Sequence, residues 1–374
     1  MKFVLSDLVD NLSVEQTLLL RACLAKSKTE REGYVRAWEN EVQIMDLDFS
    51  SSRLVPYLLY KNQQEGISCR HDKRLKILYK YWWLRTQHIS NQLRQVHRAF
   101  LAEGIAVVVI KGASIRQYYP RAELRSMSDF DLLIPQQKMQ EAIGILRRME
   151  FVPHQILMAC IQEVPGLLFD FGHAVSCTNP SSDTFIDLHW KIGSNCTKQF
   201  TERLWLHLVP CPELPGGKKP ALAYEVFMIL IHAGDKANRH NLNWIIDIAQ
   251  LHDQLDAPLW QQARQLAIEE KKEDLFDYAC RVLLQFGLPV PDPGKVKTPP
   301  RLIYKEARKG GIHRVLNGPR TVRNLICIIT RLYPHASLWQ QCYQFVRSVR
   351  FVFISRRIEK RIDGTDGQVV QLRK

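Results

Sequence analysis

Residues Ser128-Asp-Phe-Asp-Leu-Leu-Ile-Pro135 decide how the rest of the chain is read. Asp129 and Asp131 sit two residues apart in an otherwise apolar run that Pro135 stops. Side chains alternate along a strand, so the spacing puts both carboxylates on one face. Two such charges repel unless a cation lies between them. Magnesium takes carboxylate oxygens together with substrate phosphates in octahedral geometry. The pair therefore predicts a seat for Mg²⁺ and a nucleoside triphosphate. Asp-x-Asp pairs also occur as solvated or capping residues, so the flanking sequence has to separate the two readings.

Upstream, Ile105-Ala-Val-Val-Val-Ile110 is apolar, rich in β-branched residues and preceded by Gly104. It reads as a buried strand following a helix that ends in glycine. Lys111-Gly-Ala-Ser114 comes next, then a short helix over 115–118. The Gly112 amide and the Ser114 hydroxyl suit phosphate oxygens at such a turn. An ordinary strand-to-helix turn has the same appearance. Lys111, Arg121 and Arg125 flank the aspartates, either to neutralise a triphosphate or as solvated surface.

Downstream, His173-Ala-Val-Ser-Cys177, the turn residues 179–183 and Thr184-Phe-Ile-Asp-Leu-His-Trp190 predict a hairpin. Asp187 in that apolar strand is costly to bury without a cation or a hydrogen-bond donor. An edge position facing water is the alternative. His189 lies two residues on, on the same side, where it can orient a carboxylate. His232 and Asp247 fall on predicted helices fifteen residues apart. They fit contacts to an acceptor or nucleotide, or a hydrogen-bonded structural pair.

Helical periodicity marks 14–25, 34–45, 53–63 and 75–103 before the strands. It returns over 136–149, 221–233, 242–253, 258–268 and 274–287. No chemistry is legible in the first four, and Trp82 and Trp83 read as packing. The expected organisation is an N-terminal helical region (1–95), an α/β core (96–198), a helical domain (199–290) and a basic C-terminal helical region (291–374).

Net charge is +14 over 374 residues, which fits an anionic partner or a basic solvated surface with no specific ligand. Arg347 to Arg357 mixes cations with apolar residues and suits RNA or anionic lipid, or packs on the body as a basic amphipathic helix. Nine cysteines without Cys-x-x-Cys spacing argue against a disulfide framework or a zinc site and for a reducing cytoplasm. No signal peptide is evident, and no apolar run is long enough to span a membrane.

Val109-Ile-Lys-Gly-Ala-Ser114, Tyr119-Pro120, Arg125 and Ser128-Asp-Phe-Asp-Leu-Leu-Ile134 together resemble the active-site motif of the DNA polymerase beta-like nucleotidyltransferase superfamily. More narrowly they resemble a bacterial group of uncharacterised nucleotidyltransferases, some of which sit near genes for peptide natural products. Ile186-Asp-Leu-His-Trp190 is similar to that group's third-carboxylate strand, and His232 with Trp244-Ile-Ile-Asp247 to its downstream helices. The resemblance covers roughly residues 90–255. It implies an α+β fold, a small mixed-sheet nucleotidyltransferase core with helical regions on either side. It implies two Mg²⁺ ions on Asp129, Asp131 and Asp187, and an NTP donor such as ATP. Lys111, Gly112, Ser114, Arg125 and Ser128 would bind the nucleotide. The acceptor is open: a small molecule, a peptide or RNA. A binding module on the same fold and a toxin-like transferase acting on tRNA or protein are the competing expectations.

Overall fold

The computed structural model describes residues 12–163, 165–193, 196–234 and 241–292, apart from the Ile156 side chain, together with 346, 347, 350, 354, 357 and 358. Most of the basic C-terminal region, with its expected amphipathic helix, lies outside the described residues. Among the described residues no helix is long and apolar enough to cross a membrane.

The chain opens with helices α1 (Val14–Leu24), α2 (Lys28–Glu41), α3 (Phe49–Ser52), α4 (Val55–Glu65) and the long α5 (Asp72–Ala102). Strand β1 (Val108–Ile110), the single-turn helix α6 (Gly112–Ile115) and β2 (Asp129–Leu133) follow. Next come α7 (Met139–Arg148), β3 (Val152–Pro153), α8 (Gln155–Glu163), α9 (Pro165–Phe171), β4 (Ala174–Asn179) and β5 (Thr184–His189). The described chain closes with α10 (Lys198–Leu206), β6 (Leu208–Pro210), β7 (Lys218–Pro220), α11 (Leu222–Gly234), α12 (Asn243–Leu251), α13 (Ala257–Glu269) and α14 (Glu273–Gln285). The fold is mixed α+β, as the sequence predicts.

Two compact units share these elements. The first takes the described parts of Met1–Gln95, Val109–Phe130 and Leu208–Arg301. The second takes Val96–Val108, Asp131–His207 and the described part of Leu302–Lys374.

The first unit is mainly helical. Ser13 starts α1 with a capping box, its hydroxyl accepting from the Gln16 amide while the Gln16 side chain accepts from the Ser13 amide. Ser27, Asp48 and Asp256 cap α2, α3 and α13 with their side chains alone, accepting from the amides of Glu30, Ser51 and Leu259. Helix α1 packs on α2, α4 and α12, and α11 packs on α13 and α14. Leu18, Leu19, Trp38, Leu58, Trp82, Phe227 and Phe276 fill the core. Strands β6 and β7 pair antiparallel, Leu208 opposite Pro220.

The second unit holds the strand order β3-β4-β5-β2. β4 and β5 form the predicted hairpin, antiparallel, with Ser176 opposite Asp187 and Ala174 opposite His189. Ile186, Leu188, Val175, Leu132 and Leu146 are all buried in this unit. The expected strand over 105–110 is shorter, because Gly104 adopts φ 67° and the Ile105 amide turns back to the Phe100 carbonyl. That amide is spent on ending α5, so regular strand starts only at Val108.

Candidate active site

In the second unit, Asp131, Asp187 and His189 converge. Each offers one ligand atom, and the three atoms lie within 4.8 Å of one another. Strand geometry explains the meeting. Asp187 and His189 are two apart on β5, so they share a face. The Ile134 amide donates to the His189 carbonyl at 3.0 Å, which sets Asp131 alongside. His189 is fully buried and Asp131 nearly so, whereas Asp187 is half-buried.

The contacts in this cluster are directional. His189 Nε2 stands 2.9 Å from Asp131 Oδ1, and Nδ1 stands 3.1 Å from the Lys191 carbonyl oxygen. Ser176 Oγ donates to Asp187 Oδ1 at 2.5 Å, as its cross-strand position allows. The His173 ring lies 5.6 Å from that of His189. Ser176 and His173 were not singled out from the sequence, because only the hairpin register places them here.

In the first unit, Asp129 begins β2 and is exposed. It accepts from the Ser128 hydroxyl at 3.0 Å. It lies two residues before Asp131 on one strand, so the two share a strand face. The lead-in to this strand is held by arginines. Arg53 donates to the Ser126 carbonyl and Arg85 to that of Ser128, at 3.2 and 3.4 Å. Burial, then the neighbouring Arg125 charge, lowers the Arg53 pKa to about 10. Both arginines come from N-terminal helices in which the sequence showed no chemistry.

Arg125 is buried and bidentate to Asp247, Nε to Oδ1 at 2.7 Å and Nη2 to Oδ2 at 2.9 Å. The Tyr119 hydroxyl donates to the same Asp247 Oδ1 at 2.7 Å. Burial works against the Arg125 charge, but Asp247 outweighs it, so the guanidinium is held above its ordinary pKa. Burial, reinforced by the Asp247 charge, pushes the Tyr119 phenol up as well. Asp247 thus has Arg125 and Tyr119 as partners, while His232 lies exposed on α11.

The turn after β1 is built on Lys111, which takes φ 56°. Ser114 is fully buried and donates to the Lys111 carbonyl at 2.9 Å. Its hydroxyl therefore holds the turn. A Cβ on Gly112 would stand 3.1 Å from an Arg125 nitrogen, so glycine is what lets turn and guanidinium approach. Beneath the turn, Lys219 Nζ donates to Tyr118 and, at 2.9 Å, to Glu225. Arg121 is exposed, its guanidinium 5.8 Å from the Tyr60 ring centre.

Comparison with known proteins places these features in a family. The uncharacterised nucleotidyltransferase family matches residues 49–286, well over half of the chain. The chain belongs to that family, as its motifs suggest. No curated protein matches it significantly.

Proposed function

We propose that this family member transfers a nucleoside monophosphate from an NTP, ATP among them, to a hydroxyl or phosphate acceptor, the new bond to the α-phosphorus replacing the α–β phosphoanhydride and pyrophosphate leaving. The observation that carries the reading is the convergence of Asp131 and Asp187 with His189 within 4.8 Å, Asp129 lying two residues back on the same strand. Two carboxylates and an imidazole nitrogen are a donor set that fits a divalent cation. Bound there, divalent ions such as Mg²⁺ would neutralise triphosphate charge and make an acceptor hydroxyl easier to deprotonate.

The chain's own groups take the remaining roles. Asp187, half-buried and held by Ser176, accepts the acceptor's proton. Lys111 and Ser128 bind phosphate oxygens, while Gly112 and Ser114 keep the turn that carries Lys111 in shape. Arg125 cannot swing out to the leaving pyrophosphate while Nε and Nη2 are on Asp247 and Nη1 is on the Ser126 carbonyl, so it acts as a fixed positive charge. The cytoplasm is our reading of where the reaction runs, supported by its need for an NTP pool and by cysteines that are free and buried among the described residues.

The test incubates the full chain with each α-labelled NTP, a divalent ion and cell lysate. Label should pass to an acceptor, which then becomes identifiable. The double variant Asp129→Asn/Asp131→Asn should lower the rate on the order of a thousandfold or more. Equal labelling by that variant would remove the carboxylates from the reaction.

A further inference from the structure

We propose that His189 is itself a metal ligand, and that the centre it forms with Asp131 and Asp187 selects a first-row transition ion such as Mn²⁺ over Mg²⁺. The proposal deepens the reading above and rests on it only in taking this cluster as a metal centre.

His189 Nδ1 stands 3.1 Å from the Lys191 carbonyl oxygen, which can only accept, so Nδ1 carries the proton. Nε2 faces Asp131 Oδ1 at 2.9 Å, close enough for the two to share a cation. Metal-bound histidines usually donate their other ring N–H to a carbonyl or carboxylate, which fixes the tautomer. The Lys191 carbonyl does that here.

The spacing agrees. Two ligands at right angles, each about 2.1 Å from an ion, stand about 3 Å apart. That is the separation of Nε2 and Oδ1. Asp187 supplies the third ligand atom within 4.8 Å, and Ser176 orients its carboxylate. His189 is fully buried, so its ring has no solvent to turn towards.

Ligand type then decides the ion. Magnesium prefers carboxylate, phosphate and water oxygens, whereas imidazole nitrogen suits transition ions. Manganese accepts both. A centre with one nitrogen and two carboxylates discriminates against Mg²⁺ through His189.

The test uses the full chain, stripped of metal by a chelator, without nucleotide. Mn²⁺ and Mg²⁺ are titrated by calorimetry, and the Mn²⁺ form is studied by pulsed electron paramagnetic resonance. Mn²⁺ should bind at least about tenfold tighter than Mg²⁺ and show coupling to an imidazole nitrogen. His189→Gln should lose that coupling and weaken Mn²⁺ roughly ten- to a hundredfold, with Mg²⁺ affinity changed by less than about threefold. Absent Mn²⁺ binding, equal affinity for the two ions, or bound Mn²⁺ without nitrogen coupling each overturn the proposal. The last is expected if a second ring proton, rather than a metal, joins His189 to Asp131. The wild-type spectrum decides this even where the variant fails to fold. Nitrogen-coupled Mn²⁺ without transfer from any NTP would leave the metal centre and remove the transferase. Transfer with an uncoupled ion would do the reverse.

Discussion

Asp247 and Asp187 were both candidate site residues, and the structure gives them opposite surroundings. Asp247, in the first unit, is buried and receives a two-pronged guanidinium and a phenol. Asp187, in the second, is half-buried, takes one serine hydroxyl and converges with a second carboxylate and a histidine. A carboxylate matched to a full set of donors is a latch, and its charge is spent on holding two segments together. Carboxylates that converge on one another hold a position that a cation can occupy. Sequence alone cannot tell these cases apart, since both begin as an aspartate in an apolar run.

The contrast predicts opposite mutant signatures, and the largest effect belongs to the converging group. Asp187→Asn should cost on the order of a hundredfold or more in transfer rate. It should leave the denaturant midpoint almost unchanged, because it removes a charge from a crowd. Unfolding curves beside rate measurements check this, and a large stability loss would make Asp187 a latch too. Asp247→Ala should do the reverse. It strands the buried Arg125 and should destabilise the first unit by about 3–5 kcal/mol. The double change Asp247→Leu/Arg125→Met should recover most of that loss, since an apolar pair needs no partner for its charge. Failure of the double variant to recover would mean that Tyr119 or Asp129 depends on the guanidinium.

What the sequence shows of this site follows from how local each signal is. Asp129 and Asp131 share a strand face by alternation, a rule that needs only neighbouring residues. Asp187 and His189 share one by the same rule, so the hairpin and its facing side chains were legible. The latch was not, because Arg125 and Asp247 are 122 residues apart. Tyr119 and Arg125 lie in a loop with no period to read. Arg53 and Arg85 fall in helical stretches where no chemistry was legible, and only packing turns them onto the carbonyls before Asp129. The start of α2 was missed because Lys28 to Gly33 is polar and shows no apolar stripe, although the Ser27 cap was there to be read. Strands β6 and β7 are three residues each and carry prolines, so alternation had no length in which to appear.

A smaller effect tests how tightly the latch holds the turn. Gly112→Ala adds a Cβ 3.1 Å from Arg125, and Asp247 prevents that side chain from yielding. It should cost about 1–2 kcal/mol. In an Asp247→Asn background, with a weaker hold on the guanidinium, the same change should cost less, by at least about 0.5 kcal/mol in a double-mutant cycle. A simple sum of the two losses would mean that the turn and the latch are separate.

The smallest signals ask whether the latch and the converging carboxylates report on their own units alone. Burial pushes the Cys23 and Cys177 thiols up to about 12, so neither reacts until its surroundings open. Cys23 lies on α1, which packs on the Asp247 helix α12. Cys177 lies on β4 beside Ser176. Peptide-resolved alkylation in native buffer should show Asp247→Ala speeding Cys23 markedly and Cys177 little. Saturating Mn²⁺ should slow Cys177, at most about a hundredfold at a hundred times the dissociation constant, because the ion binds only the closed hairpin. It should leave Cys23 at its original rate. Were both thiols to respond together to either change, neither would report on its own unit alone.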